Sequence, residues 1–338
     1  MMATRTTTTR TTPTAPAPSA DSIGTGHAGF FTCKPTAAVL FAGGGGTAEG
    51  AKLAGIDVVY AANHDRVAVE IHARNHPDAI HVCQDLHQAN FYELPDFDIL
   101  LASPSCQGFS PARGIDRPRH DGARSTAWAV VSALEAKRPY LAEVENVPEF
   151  LKWVLYPAWK QAVEALGYAV SPHIVDAADH GVPQHRERVF ILLTRSKSPL
   201  TIDLPKRAHV PVGPVIDFDA GNWSSIDKPG RSPKTLTRVA AGRRRFGDRF
   251  VMPYYGSGSG LTGRSIDRPI GTITTRDRWA VVDGNRMRML SKFECRDIMG
   301  FRSDYFLPTS HKAAVQLLGN AVVPVVQADF IHAAMAAA

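Results

Sequence analysis

Between residues 36 and about 195 the chain alternates short, continuous apolar runs with segments whose apolar positions recur every three or four residues. The runs AAVLFA (37–42), IDVVYAA (56–62), DFDILLAS (96–103) and PYLAEVE (139–145) predict buried strands. A short IHVC (80–83) and apolar stretches near 168–175 and 188–194 add to them. TAEGAKLAG (47–55), DRVAVEIHARNH (65–76), ARSTAWAVVSALEAK (123–137) and a segment around 150–166 predict helices. This alternation predicts an α/β fold with a doubly wound, mostly parallel, Rossmann-like sheet, in which ligands bind outside the carboxyl ends of the strands. From 205 to 265 Pro, Gly, Arg and Ser dominate and long apolar periodicity disappears. That stretch predicts a second, smaller, loop-rich domain. Helical patterning returns at 291–301 and 311–337, and the last segment is apolar enough to pack back on the first domain. The expected organisation is a tail over 1–35, a catalytic and cofactor-binding domain over 36–199, a second domain over 200–290 and returning helices over 291–338.

Composition narrows the class. The first twenty residues hold Thr, Pro, Ala and two Arg with almost nothing to bury, which predicts disorder. The tail is basic and acid-poor, so a transit peptide stays open, but it lacks the apolar core of a secretory signal. No apolar run approaches the ~18 residues of a membrane helix, so no membrane partner is expected. The four cysteines, Cys33, Cys83, Cys106 and Cys295, form no Cys-x-x-Cys pair. No metal site and no disulfide framework are expected, and a cytoplasmic location fits. The charge is uneven: residues 200–288 carry sixteen Lys and Arg against eight Asp and no Glu. A basic segment on a near-neutral body points to a polyanion, nucleic acid first, with a solvated basic face as the plainer alternative.

The candidate chemistry sits at strand ends. Phe41–Ala42–Gly43–Gly44–Gly45–Gly46 follows the first strand as a nucleotide-type cofactor loop, or as a tight strand–helix turn. No Gly-Lys-Ser/Thr is present, which excludes a phosphate-gripping P-loop. After the second strand, His64 or Asp65 could meet a ribose, and Asp65 could equally cap a helix. Asp85, after the third, could accept from an amino group on adenine or cap a turn. Cys106 follows the fourth strand in LLASPSCQGFSPAR (100–113), either as a packed thiol or as a nucleophile. Glu145 ends the fifth apolar run, where burial would raise its pKa and suit it to general acid work, unless it only caps a following helix. Gln184, Arg186 and Arg188 share one strand face, and the arginines could hold a carbonyl, phosphate or carboxylate. LLGNAVVP (317–324) interrupts a helical pattern with a Gly-Asn turn.

Taken in order, these pieces resemble the DNA (cytosine-5)-methyltransferases. The motifs are Phe-x-Gly-x-Gly-Gly (41–46), Pro-x-Cys-Gln (104–107), Glu-Asn-Val (145–147), Gln-x-Arg-x-Arg (184–188) and Gly-Asn-Ala-Val (319–322). RPIGTITTRD (268–277) is similar to the family's Thr-Ile block, and the resemblance covers residues 36 to about 330. It implies S-adenosyl-L-methionine as cofactor and attack by the Cys106 thiolate on C6 of a flipped-out cytosine in duplex DNA. Glu145 would hold or protonate N3, Arg188 would contact O2 with Arg186 in the same site, and Asn146 would order the cysteine loop. Phe41–Gly46, His64, Asp65, Asp85, Leu86, Ser105, Asn320 and Val322 would surround the cofactor. Gln107, Ser110, Arg113, Gln184, Arg243, Arg244 and Arg245 would contact DNA, with 107–124 a closing loop. The resemblance implies a monomer that needs no endonuclease bound to it, whether in a restriction–modification pair or alone. Three residues depart from the family pattern: Ser105 stands where a second Pro is common, His64 where a ribose-binding Glu is common, and Val39 where an Asp often begins the first motif. An RNA-directed member and a catalytically dead DNA-binding protein are the alternatives.

Overall fold

A computed structural model describes residues 33–105, 118–254 and 263–338, with side chains throughout except over 118–123. These residues belong to one compact unit that begins at Cys33. Residues 1–32 of the expected tail lie outside the described residues.

The seven strands of the main sheet are β1 (Thr36–Leu40), β2 (Asp57–Asn63), β3 (Ile80–Cys83), β4 (Ile99–Ala102), β5 (Leu141–Asn146), β6 (Ala169–Asp176) and β7 (Glu187–Thr194). Their spatial order is β3-β2-β1-β4-β5-β7-β6. β1 to β5 pair in parallel, whereas β7 inserts antiparallel between β5 and β6. β1, β4 and β5 are buried almost throughout, as strands covered on both faces must be, which is why they read as unbroken apolar runs. One face carries α3 (Pro118–Lys137) and α4 (Tyr156–Ala165). Phe150, Trp159, Leu134 and Val144 fill the space beneath them, and the Trp159 indole donates to the Ala127 carbonyl at 2.9 Å. α1 (Gly46–Leu53) and α2 (Arg66–Asn75) follow β1 and β2.

The C-terminal region supplies α6 (Lys292–Ile298), α7 (His311–Asn320) and α8 (Pro324–Ala337). α8 packs along α1, as its apolar pattern predicts. The approach is close: a Cβ on Gly50 would lie 2.4 Å from the Gln327 Cβ. By length and hydropathy, 311–337 passes as a membrane span, contrary to the sequence expectation, but 83% of its most apolar window is buried inside the protein.

The stretch after 200 is more regular than its composition predicts. α5 (Pro233–Phe246) packs on an antiparallel sheet of β8 (Ser224–Ser225), β9 (Arg249–Pro253), β10 (Trp279–Asp283) and β11 (Arg286–Met289). Ile226, Val239, Phe250, Met252, Ala280, Val282 and Met287 form its own small core. The helix escapes sequence reading because its buried stripe is only Thr235, Val239 and Gly242, set among arginines. Gly242 is needed there, since a Cβ would meet the Phe250 ring at 2.3 Å. α3 begins at Pro118, so the loop expected over 107–124 is cut short; its remaining part lies outside the described residues.

Candidate active site

The strand order reverses between β1 and β4, and a cavity of about 350 Å³ opens at the carboxyl ends of the strands there. An open α/β sheet binds ligands at this switch point. Phe41–Gly44, Asn63–Asp65, Ser103–Ser105, Glu145, Arg186 and Arg188 line the cavity, and Leu317 and Asn320–Val322 close it from the C-terminal region.

The loop after β1 turns sharply. Phe41 has φ +58° and Gly43 φ +50°, so a non-glycine residue holds a left-handed conformation at the cavity wall. Such strain costs on the order of 1–3 kcal/mol and persists only where the surroundings enforce it. The four glycines divide their work. Gly43 and Gly44 line the cavity with Ala42. Gly45 and Gly46 do not: their missing Cβ atoms admit the Tyr305 hydroxyl, at 2.1 Å, and the Val322 carbonyl oxygen, at 1.9 Å. The expectation that they touch cofactor is therefore corrected. They let the C-terminal region approach.

Beside the loop, Asn63 ends β2 with its side chain 8% exposed and facing the cavity. Among the described residues its amide has no hydrogen-bond partner. Sequence reading passed over it in favour of His64, which lies at the exposed rim. The signal was its place as the last residue of the second strand. Asp65 caps α2, its Oδ1 accepting from Val67 N at 2.8 Å and Ala68 N at 3.2 Å, and it lines the cavity as well. The helix-cap alternative read from the sequence is therefore what the structure shows. Thr47, Val67 and Thr126 are further lining residues absent from the sequence reading.

β5 delivers the acid. Glu145 is 7% exposed and its Oε1 lies 3.3 Å from Arg188 Nε. Burial raises its pKa, and the cations of Arg188 and then Arg186 oppose the rise. The next residue, Asn146, donates from Nδ2 to the Pro104 carbonyl at 3.0 Å while its Oδ1 accepts from Val147 N. The Ser105 amide donates to Thr126 Oγ1. The chain leading toward Cys106 is thus fastened to β5 and α3. Cys106, Gln107, Ser110 and Arg113 themselves lie outside the described residues.

Arg186 lies in the same cavity lining as Glu145 and Arg188, where the sequence reading placed it, but its guanidinium is engaged with backbone. It is 2% exposed, and its guanidinium donates to the carbonyls of Ile273, Gly319 and Ala321 at 2.8–3.0 Å. It clasps the C-terminal end of α7 and the Thr-Ile block at the cavity edge, leaving Arg188 as the arginine paired with Glu145. Gly319 and Asn320 close α7, the helical path breaks at Ala321–Val323 before α8, and Gly319 and Ala321 present their carbonyls to Arg186.

Several other expectations are corrected. Gln184 is fully buried, with Oε1 accepting from Ile273 N at 2.7 Å and Nε2 donating to the Ile298 carbonyl, so it cannot reach DNA. Leu86 is 2% exposed in the main core and does not line the cavity, because its apolar side chain packs beneath the sheet. Asp85 is exposed outside the cavity lining and binds the backbone and ring of His87, which hold its carboxyl below the usual range. Arg243 turns inward to the Gly284 carbonyl, whereas Arg244 and Arg245 are exposed.

Residues 36–217 match the C-5 cytosine-specific DNA methylase family. The Type II methyltransferase M.SsoII of Shigella sonnei is 27% identical over 311 residues, covering 86% of this chain and 77% of that protein. The Type II methyltransferase M.HhaI of Haemophilus parahaemolyticus is 26% identical over 301 residues, covering 84% and 89%. The fold is also that of Spodoptera frugiperda DNMT2, with a TM-score of 0.65 at 17% identity, covering 89% of this chain and 99% of the other. The family match spans more than half of the sequence, and with the acid–arginine pair at the switch point, the chain belongs to the C-5 cytosine-specific DNA methylases, whose methyl donor is S-adenosylmethionine.

Proposed function

We propose that this cavity binds the methyl donor and that Glu145, Arg188 and Cys106 act together on a cytosine turned out of duplex DNA. The observation that carries the reading is the Glu145–Arg188 pair. It stands one residue from Asn146, whose amide holds the carbonyl of Pro104, two residues before Cys106.

The donor set suits a nucleoside joined to a charged chain. Phe41, Val67, Ala68 and Leu317 offer apolar faces, and Asn63, Asp65 and Asn320 offer polar groups. We assign Asn63 to the sugar hydroxyls, because its nearly buried amide faces the cavity and has no described protein partner. S-adenosylmethionine, once bound, supplies an electrophilic methyl carbon on a sulfonium. Attack of the Cys106 Sγ on C6 of cytosine forms the S–C6 bond and pushes the ring electrons toward C5 and N3. Glu145 gives its proton to N3, so no full negative charge builds on the ring. Arg188 holds the carboxyl in place and can donate to O2. C5 takes the methyl as its bond to the sulfonium sulfur breaks, which would leave S-adenosylhomocysteine. A water then takes the C5 proton, Sγ leaves as thiolate as the C5–C6 double bond reforms, and N3 returns its proton to Glu145.

The partner is duplex DNA, reached through the basic 200–288 segment. The protein works as a monomer in the cytoplasm and needs no endonuclease bound to it. Its recognition region is small, which suits a target of about two to four base pairs. Bisulfite sequencing of DNA from cells expressing the protein reads that target, and six or more pairs would contradict the estimate. The test of the chemistry is Cys106→Ser. It is expected to abolish methyl transfer and covalent trapping on 5-fluorocytosine DNA while DNA binding persists; turnover near wild type would refute the role. Methylation of tRNA but not duplex DNA by the purified protein would select the RNA-directed alternative.

A further inference from the structure

Behind the glycine loop, on the side away from the cavity, lies a buried polar cluster that the methyl-transfer chemistry does not use. Tyr305 is 2% exposed and its hydroxyl donates to the Gly44 carbonyl at 2.8 Å. The same hydroxyl stands 3.4 Å from His76 Nε2 and occupies the space that a Cβ on Gly45 would need. Tyr305 belongs to a short segment between α6 and α7 that is fastened at both ends. Asn75, the last residue of α2, donates from Nδ2 to the Phe306 carbonyl and accepts from Phe306 N and Arg302 Nη2 through Oδ1. Arg302 Nε lies 3.2 Å from the buried Glu49 carboxylate on α1. On the other side of the loop, Leu317 occupies the space beside Gly44, and Val322 that beside Gly46.

We propose that Tyr305 is a positioning residue for the donor-binding loop: its hydroxyl, held in place through Asn75, Arg302 and Glu49, fixes the Gly44 carbonyl and the turn that shapes the cavity wall. The loop needs an external constraint because glycine in the left-handed region has little preference of its own. Gly45 has φ +80° and caps α1, and Gly44 presents its backbone to the cavity. Without the hydroxyl, the Gly44 carbonyl is left buried without its donor, and the loop samples more conformations than the one that binds. Donor affinity then falls by the fraction of time the loop spends in the competent form.

The inference rests on the cavity being the donor site, and the experiment separates the two. Isothermal titration of S-adenosylhomocysteine into wild type and Tyr305→Phe measures affinity directly. Wild type is expected to bind, and Tyr305→Phe to bind about five- to tenfold more weakly, the loss typical of one buried neutral hydrogen bond. KM for the donor is expected to rise by the same factor, with kcat at saturating donor within about twofold and the ligand-free Tm lower by only a few degrees. A merely structural role would lower Tm and the active fraction but leave the dissociation constant of the folded protein alone. Arg302→Gln keeps the phenol but removes an anchor, and is expected to weaken binding in the same direction; it carries the test if Tyr305→Phe does not fold. Unchanged affinity in the folded variants overturns the proposal. Failure of wild type to bind S-adenosylhomocysteine overturns the donor-site reading instead.

Discussion

Glu145 is governed by two opposed influences: burial raises its pKa, and Arg188 at 3.3 Å draws it back. The proposed chemistry uses the protonated form, and a raised pKa keeps that form populated to higher pH than an exposed Glu would. The expected outcome is that single-turnover methyl transfer at saturating donor and DNA falls as pH rises through that pKa. Glu145→Gln is expected to lower the rate by about 10²–10⁴-fold with little change in S-adenosylhomocysteine affinity. A flat pH profile in wild type would remove Glu145 from the acid role. The sequence made Glu145 legible because an acid at the end of a wholly apolar strand is unusual. Asn63 was not legible in the same way: an amide beside a histidine and an aspartate does not stand out until the strand's last residue is seen to face the cavity. Gln184 as a DNA contact, and the bonding of Arg186, were not legible for a related reason. Polar residues in a row look like contacts for a ligand, and only the fold shows that they bond mostly backbone groups between residues 273 and 321.

Among the elements, β5 and α8 meet through a buried carboxyl. Glu143 is 2% exposed, accepts from Gln327 Nε2 at 2.5 Å, and has its pKa pushed up to about 8, first by burial. A carboxyl whose folded pKa lies above its ordinary 4.5 contributes stability that is fully present below 4.5 and is lost as pH rises through about 8. His76 has the opposite sign, since burial lowers its pKa from 6.5 to about 4, but it is neutral in both states above pH 7 and drops out there. Urea denaturation is therefore expected to show stability falling between pH 7 and about 8.5. Glu143→Gln is expected to remove most of that slope and to exceed wild type by roughly 1–3 kcal/mol at the upper end. An identical slope in the variant would place the titrating group elsewhere. The α/β alternation itself was readable because strands buried on both faces produce unbroken apolar runs. α5 and its sheet were not, because a small two-layer core needs few apolar side chains and arginines occupy the rest of the helix.

At the scale of the whole molecule, the excess positive charge lies in the segment that carries the second sheet. Arg244 and Arg245 are exposed at the end of α5, whereas Arg243 and Arg288 are engaged with Gly284 and Glu294. Charge counting cannot make that distinction, since all four residues look alike in sequence. Arg244→Ala with Arg245→Ala is expected to weaken duplex binding across unrelated sequences. The slope of log affinity against log salt is expected to fall by about one for each phosphate the variant no longer neutralises. An unchanged slope would assign these residues to a solvated face. The cavity belongs to this scale too. Its walls come from segments spread between residues 41 and 322, so no local stretch of sequence could display it whole.

The Tyr305–Gly44 hydrogen bond joins residues 261 positions apart. Interactions of such long range form late in folding, because the loop they close carries a large entropic cost. On the ribosome, residues 36–55 emerge long before 302–322, so the strand and helix that begin the cavity wait for more than two hundred further residues before its wall can be set. A nascent chain can hold a folded central sheet and still be unable to retain the methyl donor. Donor binding by ribosome-stalled chains of increasing length is thus expected to appear only once residues 302–322 have cleared the exit tunnel.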